Sequence, residues 1–117
     1  MPRFILVYRY PQGYDVLTDP SANEAWEAYI RENVGPNVAD PGWPVFEEAT
    51  VVGNTAYPTK LGGYSVVDVA DLDAAVALTE RCPTLSKGGS VEVGPLVELP
   101  AAHPAEVLRK KTAQPSG

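Results

Sequence analysis

Leu61-Gly62-Gly63-Tyr64-Ser65-Val66-Val67-Asp68-Val69 leads through Ala70-Asp71-Leu72-Asp73 into an alanine-rich run closed by Cys82-Pro83, and then into Ser90-Val91-Glu92-Val93. Two β-branched runs thus flank an amphipathic stretch, which reads as one β-α-β unit. Gly62-Gly63 opens a strand over Tyr64 to Val69. Asp71 is suited to cap a helix from Leu72 to Cys82, because its carboxylate can accept an orphan backbone N–H. The inward face of that helix would be Leu72, Ala75, Val76, Leu78, Thr79 and Cys82. Pro83 disfavours helix at Cys82 and ends it there. Ser86-Lys87-Gly88-Gly89 is a turn, and Val91 to Val97 is a strand whose Pro95 implies an edge or a bulge.

The upstream half repeats the plan. Arg3 to Tyr10 is a continuous apolar and aromatic run, as in a strand buried on both faces. Pro11-Gln12-Gly13 ends it. Ser21-Ala22-Asn23-Glu24 has the capping-box pattern, and Ala22, Ala25, Trp26, Tyr29, Ile30 and Val34 follow at helical spacing. Gly35-Pro36 stops this helix. After a loop holding Pro36, Pro41, Gly42 and Pro44, the run Val45 to Val52 is expected as the second strand. The order is β-α-β-β-α-β, so residues 1–99 are expected to form one α+β ferredoxin-like domain with an antiparallel sheet. Residues 100–117 form a proline-containing tail of low hydrophobicity. A short helix from Ala105 to Lys111 is expected there, packed on the body or on a partner subunit.

One deduction concerns the sheet. Phe4, Leu6 and Tyr8 point one way on the first strand, and Ile5 and Val7 the other; on the third, Tyr64 and Val66 oppose Val67 and Val69. Two helices cover only one face of such a sheet, so the second apolar face needs a cover of its own. A second copy of the chain is the simplest one, and a homodimer with facing sheets is expected.

Composition narrows the function classes. Fifteen acidic and nine basic residues among 117 give a net charge of -6, which disfavours nucleic-acid and anionic-membrane surfaces. No apolar run is long enough to span a bilayer, and no signal peptide is evident. One cysteine makes no internal disulfide. A cytoplasmic protein is expected. His103, the single histidine, lies in the tail and is expected to be solvated or to cap a helix. No His/Cys/Asp cluster has metal-ligand spacing, and no phosphate loop, dinucleotide motif or Ser-His-Asp order is present, so neither metal nor cofactor is expected. Cys82 at a helix carboxyl end lacks the setting of a low-pKa thiol and reads as a buried structural residue.

The stretch from Leu61 to Pro95 resembles the YCII-related family, in particular its DGPF-domain branch. The matching residues are Leu61-Gly62-Gly63-Tyr64, Val67-Asp68, Leu72-Asp73-Ala74-Ala75, Arg81-Cys82-Pro83 and Gly89-Ser90-Val91-Glu92-Val93. Trp26-Glu27-Ala28-Tyr29 resembles the family's Trp-x-x-Tyr pattern, and Arg3 to Tyr8 its first strand. The resemblance implies a ferredoxin-like fold paired into a dimeric α+β barrel. In place of the Asp-Gly-Pro-Phe motif this chain has Asn54-Thr55-Ala56-Tyr57-Pro58-Thr59-Lys60. Relatives carry a proposed histidine–aspartate pair; here the first helix has no histidine, and Cys82 occupies the aspartate slot.

What remains is a set of aromatic and polar side chains suited to line a cavity. Tyr8, Tyr64 and Asp68 fall on adjacent strands, Arg9 ends its strand between two tyrosines, Trp26 and Tyr29 share a helix face, and Trp43 follows in the loop. Tyr8, Arg9, Trp26, Tyr29, Tyr64 and Asp68 are therefore the candidate ligand-binding residues, with no catalytic residue assigned. The leading expectation is a small cytoplasmic protein of the YCII-related type that binds a small organic ligand between sheet and helices. The alternative is a cofactor-independent isomerase, lyase or monooxygenase of the dimeric α+β barrel kind, with Tyr8, Tyr64 and Asp68 in proton transfer or orientation. A structural or regulatory dimer with a filled core is the third.

Overall fold

In the computed structural model, which describes residues 1–98, four antiparallel strands form one sheet: β1 (Arg3–Pro11), β2 (Val38–Asp40), β3 (Thr59–Asp68) and β4 (Ser90–Leu96). Their spatial order is β2-β3-β1-β4, the ferredoxin-like arrangement. The two long apolar runs of the sequence, β1 and β3, are neighbours and pair from Arg3↔Asp68 to Pro11↔Thr59. The helical segments α1 (Ala22–Tyr29), α2 (Leu72–Ala77) and α3 (Pro83–Ser86) complete the β-α-β-β-α-β order. Expectations placed on the tail, the 105–111 helix and His103 among them, lie outside the described residues.

Strand alternation divides the side chains between two faces. Phe4, Leu6, Tyr8, Val67 and Val69 are buried in the core with Tyr29 and Val34 from the first helical segment, and with Ala75 and Cys82 from the second. Ile5 and Val7 of β1 and Tyr64 and Val66 of β3 point to the other face and are half-buried. Their register partners place them side by side, Val7 with Tyr64 and Ile5 with Val66. Two ion pairs flank this apolar strip: Arg3 Nε with Asp68 Oδ1 at 2.8 Å, and an Arg9 guanidinium nitrogen with Glu92 Oε1 at 3.4 Å.

The second strand is not where its β-like composition suggested. Val38–Asp40 forms it, directly after the first helical segment, and pairs with Val66 and Val67. Val45 to Val52 is irregular. Pro44 makes an isolated bridge to Gly63, and the Val45 N–H reaches the Gly62 carbonyl. The chain then leaves the sheet, with Phe46 53%, Val51 37% and Val52 94% exposed. The run lacks the polar–apolar alternation that a strand with one covered face requires. Gly62-Gly63, expected to open β3, lies within it at a register shift opposite Tyr8 and Arg9, as a bulge does.

The helices also end differently. Ser21 makes no side-chain cap to α1; its N–H and Oγ both donate to Asp19 Oδ1. Beyond Tyr29 the helix widens into a π turn, Ile30–Val34, and closes in a 3₁₀ turn at Gly35–Asn37. Asp71 caps α2 as expected, accepting from the Ala74 N–H at 2.8 Å. That helix ends at Ala77 rather than Cys82 because its last turn tightens to three-residue spacing, with Thr79 N–H on the Val76 carbonyl and Cys82 N–H on that of Thr79. Of the expected inward face, Ala75, Thr79 and Cys82 are buried, whereas Leu72 and Val76 stand 49% and 44% exposed. The Leu78 carbonyl instead receives the Tyr29 hydroxyl at 2.9 Å.

Candidate functional site

A cleft of about 310 Å³ opens between α1, the β1–β3 pair and the loop that follows β2. This is at the small end of ligand pockets, which run to about 1,000 Å³. Its walls are Tyr8 and Tyr10 of β1, Trp26 and Ile30 of the first helical segment, and Trp43 and Phe46 of the loop. Alternation along β1 explains the floor: Tyr8 and Tyr10 are two residues apart and continue the buried row of Phe4 and Leu6.

The rings pack edge to face. The Tyr8 and Trp26 centroids are 4.8 Å apart with planes at 70°, and Trp26 lies 5.7 Å from Tyr29 at 85°. Tyr10 stacks on Tyr14 at 4.8 Å. Such contacts fix ring orientation and add to the stabilisation from burial. The roof differs: Trp43 is 75% and Phe46 53% exposed, although both line the cleft.

Two glycines let the loop approach the sheet. Gly42 sits at φ +77°, and a β-carbon there would collide with the Tyr64 carbonyl. A β-carbon at Gly62 would come 2.6 Å from the Tyr10 ring. Only residues without side chains allow so thin a wall.

Polar groups are few, and one chain of hydrogen bonds orders them. The Tyr8 hydroxyl and Ser65 Oγ are 2.8 Å apart, and Ser65 Oγ is 2.8 Å from the Pro41 carbonyl. The carbonyl only accepts, so Ser65 donates to it and Tyr8 donates to Ser65. Burial pushes the Tyr8 phenol up to about 12 and the Tyr10 phenol likewise to about 12. Near neutral pH both are therefore protonated. Among the described residues that line the cleft there is no carboxylate, amine, guanidinium or imidazole. A neighbouring hollow on the far side of Tyr10 differs in kind, bringing Asp15, Glu47, Glu48 and Lys60 to its walls.

The candidate residues separate across the sheet. Tyr8 and Trp26 line the cleft, and Tyr29 packs behind them without lining it. Arg9 points away from Tyr8, as strand neighbours must, and meets Glu92 on the opposite face. Asp68 is on that face too, paired with Arg3, which holds its carboxyl below the usual range by hydrogen bonding. Tyr64 borders the cleft where its backbone meets Gly42, while its side chain belongs to the opposite face and its hydroxyl donates to Asp40 Oδ2 at 3.4 Å. Tyr10, Ser65, Asn23 and Phe46 complete the site without having been marked by the sequence. Ser65 carried a usable signal: it is the polar member of the inward row Ser65, Val67, Val69, and a buried hydroxyl requires a partner.

Cys82 is buried, and burial pushes its thiol up to about 12. It precedes α3 rather than ending a long helix, but the four-residue α3 is too short to counter the loss of solvent. Among the described residues, no group of three His, Cys, Asp or Glu side chains is placed to hold a metal ion, and no helix is long and apolar enough to cross a membrane.

No family model and no curated protein matches the chain. Among solved structures the chain is similar to 5-chloro-2-hydroxyhydroquinone dehydrochlorinase (TftG) from Burkholderia phenoliruptrix AC1100, determined in complex with 2,5-dihydroxybenzoquinone. The TM-score is 0.55 at 15% identity, over 82% of this chain and 95% of that one. Likeness at that identity establishes the fold, and the small α+β domain described above is that fold.

Proposed function

We propose that the chain is a small-molecule-binding protein of the YCII-related type that takes a small organic ligand into the cleft between α1 and the sheet. The observation that carries this reading is an aromatic cleft of about 310 Å³ with no charged side chain among its described lining residues. Such a site gains affinity by burying apolar ligand surface and orients the ligand with a few polar groups. In the proposed assembly two copies pair through the face bearing Ile5, Val7, Tyr64 and Val66, and work in the cytoplasm, where Cys82 stays reduced. Support for pairing is the apolar character of a face that no helix of the described residues covers.

A second reading, a cofactor-independent isomerase, lyase or monooxygenase, has the dehydrochlorinase likeness alone behind it. It requires a group that exchanges protons near neutral pH, and burial moves Tyr8 and Tyr10 away from that range. A filled-core structural dimer is disfavoured by the volume of the cleft.

The test is a thermal-shift screen of small aromatic compounds against the wild type and Trp26→Ala. Binding at the cleft raises the melting temperature of the wild type increasingly with ligand concentration above Kd, as the logarithm of that ratio, and much less that of the variant. If no compound shifts the wild type, the binding reading is wrong.

A further inference from the structure

Resting on that reading, we propose that the cleft selects a flat ring system without negative charge that bears a hydrogen-bond donor, a hydroxyl or ring N–H, received by the Tyr8 phenol oxygen. Three observations set the three terms of this selection. The first is charge. A ligand carboxylate or ammonium would enter a wall of Tyr8, Tyr10, Trp26, Ile30, Trp43 and Phe46, with no opposite charge among the described lining residues. A carboxylate desolvated there without a partner is strongly disfavoured, so an anion is rejected, whereas the aromatic faces can still attract a cation.

The second is shape. The cleft's volume of about 310 Å³ suits one or two fused rings, and its walls are themselves ring faces and edges. Flat π-systems pack on such walls by offset stacking or edge to face. The exposed Trp43 and Phe46 are the two wall residues with most surface left to cover.

The third is the sense of the hydrogen bond. The Pro41 carbonyl fixes the Ser65 hydrogen, and Ser65 in turn fixes that of Tyr8. With its proton committed, the Tyr8 oxygen, which also lies beside the Tyr29 hydroxyl, has a lone pair left to accept with and no proton to give. An ether, ester or ketone oxygen facing it would gain nothing and leave both groups desolvated, whereas a phenolic hydroxyl or an indole-like N–H completes the chain. Ser65 therefore acts as a positioning residue that makes the site an acceptor.

Three compounds of one shape separate the terms: 2-naphthol, 2-methoxynaphthalene and 2-naphthoate, titrated calorimetrically against the wild type, Tyr8→Phe and Ser65→Ala at neutral pH. On the wild type, 2-naphthol should bind about ten-fold more tightly than the methyl ether, with the carboxylate weakest. Tyr8→Phe should erase the difference between naphthol and ether. Ser65→Ala should shrink it, because the freed Tyr8 hydroxyl can then donate to the ether oxygen. Equal binding of naphthol and ether to the wild type, tight binding of the carboxylate, or a preference that survives in both variants overturns the proposal while leaving a binding cleft. Failure of all three compounds, with the wild type folded by circular dichroism, refutes the binding reading itself. Should Tyr8→Phe fail to fold, Ser65→Ala and the wild-type series decide the matter.

Discussion

Thr84 Oγ1 donates a hydrogen bond of 2.5 Å to the Arg9 carbonyl, seventy-five residues away in the chain. Thr84 is fully buried, and Arg9 is the last residue of β1 that pairs with β4. The bond ties α3 to the end of the central strand just where β3 shifts register on the other side. Gly89 makes room for it, since a β-carbon there would strike both the Arg9 carbonyl and Thr84 Oγ1. Thr84→Val keeps the shape and removes the donor, so the part-buried Arg9 carbonyl loses this bond. A loss of about 1–3 kcal/mol in urea unfolding is expected, with Thr84→Ser recovering most of it.

Gly62→Ala brings a methyl group to within 2.6 Å of the Tyr10 ring, which is buried and cannot swing clear. The ring must move into the cleft or the loop must lift. A destabilisation of about 1–3 kcal/mol is expected, together with weaker uptake of any cleft ligand. Thermal melts with and without 2-naphthol check both effects.

Cys82 should be inert in the native protein. With its thiol pushed up to about 12, almost no thiolate exists near neutral pH, and burial blocks access. Ellman's reagent should react with one thiol per chain only in denaturant; fast reaction of the folded protein would contradict the packing.

Asp19, together with the Arg3-paired Asp68, shapes the acid limb of stability. Asp19 accepts from the Tyr14 hydroxyl at 2.7 Å and from Ser21, and pairs with Lys87 Nζ at 3.1 Å; these partners hold its carboxyl far below its ordinary value. The ionised form is thus favoured by folding. Its contribution is fully present above the unfolded value of about 4 and is lost as pH falls through the folded one. Melting temperature should be flat from pH 7 to about pH 5 and fall below about pH 4, and Asp19→Asn should start lower and fall less steeply.

The alkaline limb belongs to the tyrosines. Burial raises Tyr8 and Tyr10 to about 12 and holds Tyr14 and Tyr29 higher still. Here the neutral form is favoured by folding, so stability is complete below about pH 10 and lost above it. Absorbance at 295 nm should show these four of the six tyrosines ionising together with unfolding rather than before it.

Sequence reading succeeded where one local pattern had no competitor. β1, β3 and β4 are runs rich in β-branched, aromatic and other apolar residues, and each is a strand, because burial in a sheet rewards what local preference already favours. β2 was hidden: Val38-Ala39-Asp40 is too short to carry a pattern, while Val45 to Val52 had the composition without the alternation. The end of α2 depended on Tyr29, which takes the Leu78 carbonyl from another element, a contact that no local rule contains. The same limit split the site. Tyr8 and Trp26 were legible as inward aromatics, and placing Arg9 beside Tyr8 overlooked the two-residue period of a strand. Tyr10 and Ser65 follow from that same period applied to both strands.

Pro44, bridged to Gly63, and the three-residue β2 together occupy the outer side of β3. That is where a foreign strand would add, and capping it guards against association edge to edge. The segment that roofs the cleft is therefore also the guard of the sheet, and trimming it to admit a bulkier guest would bare a sticky edge. Enlargement is open from the opposite side, at Asn23, Trp26 and Ile30, whose side chains can be cut back without touching a single strand pairing. Under the binding reading, a larger guest is therefore accommodated by changes on the first helical segment rather than in residues 41–44.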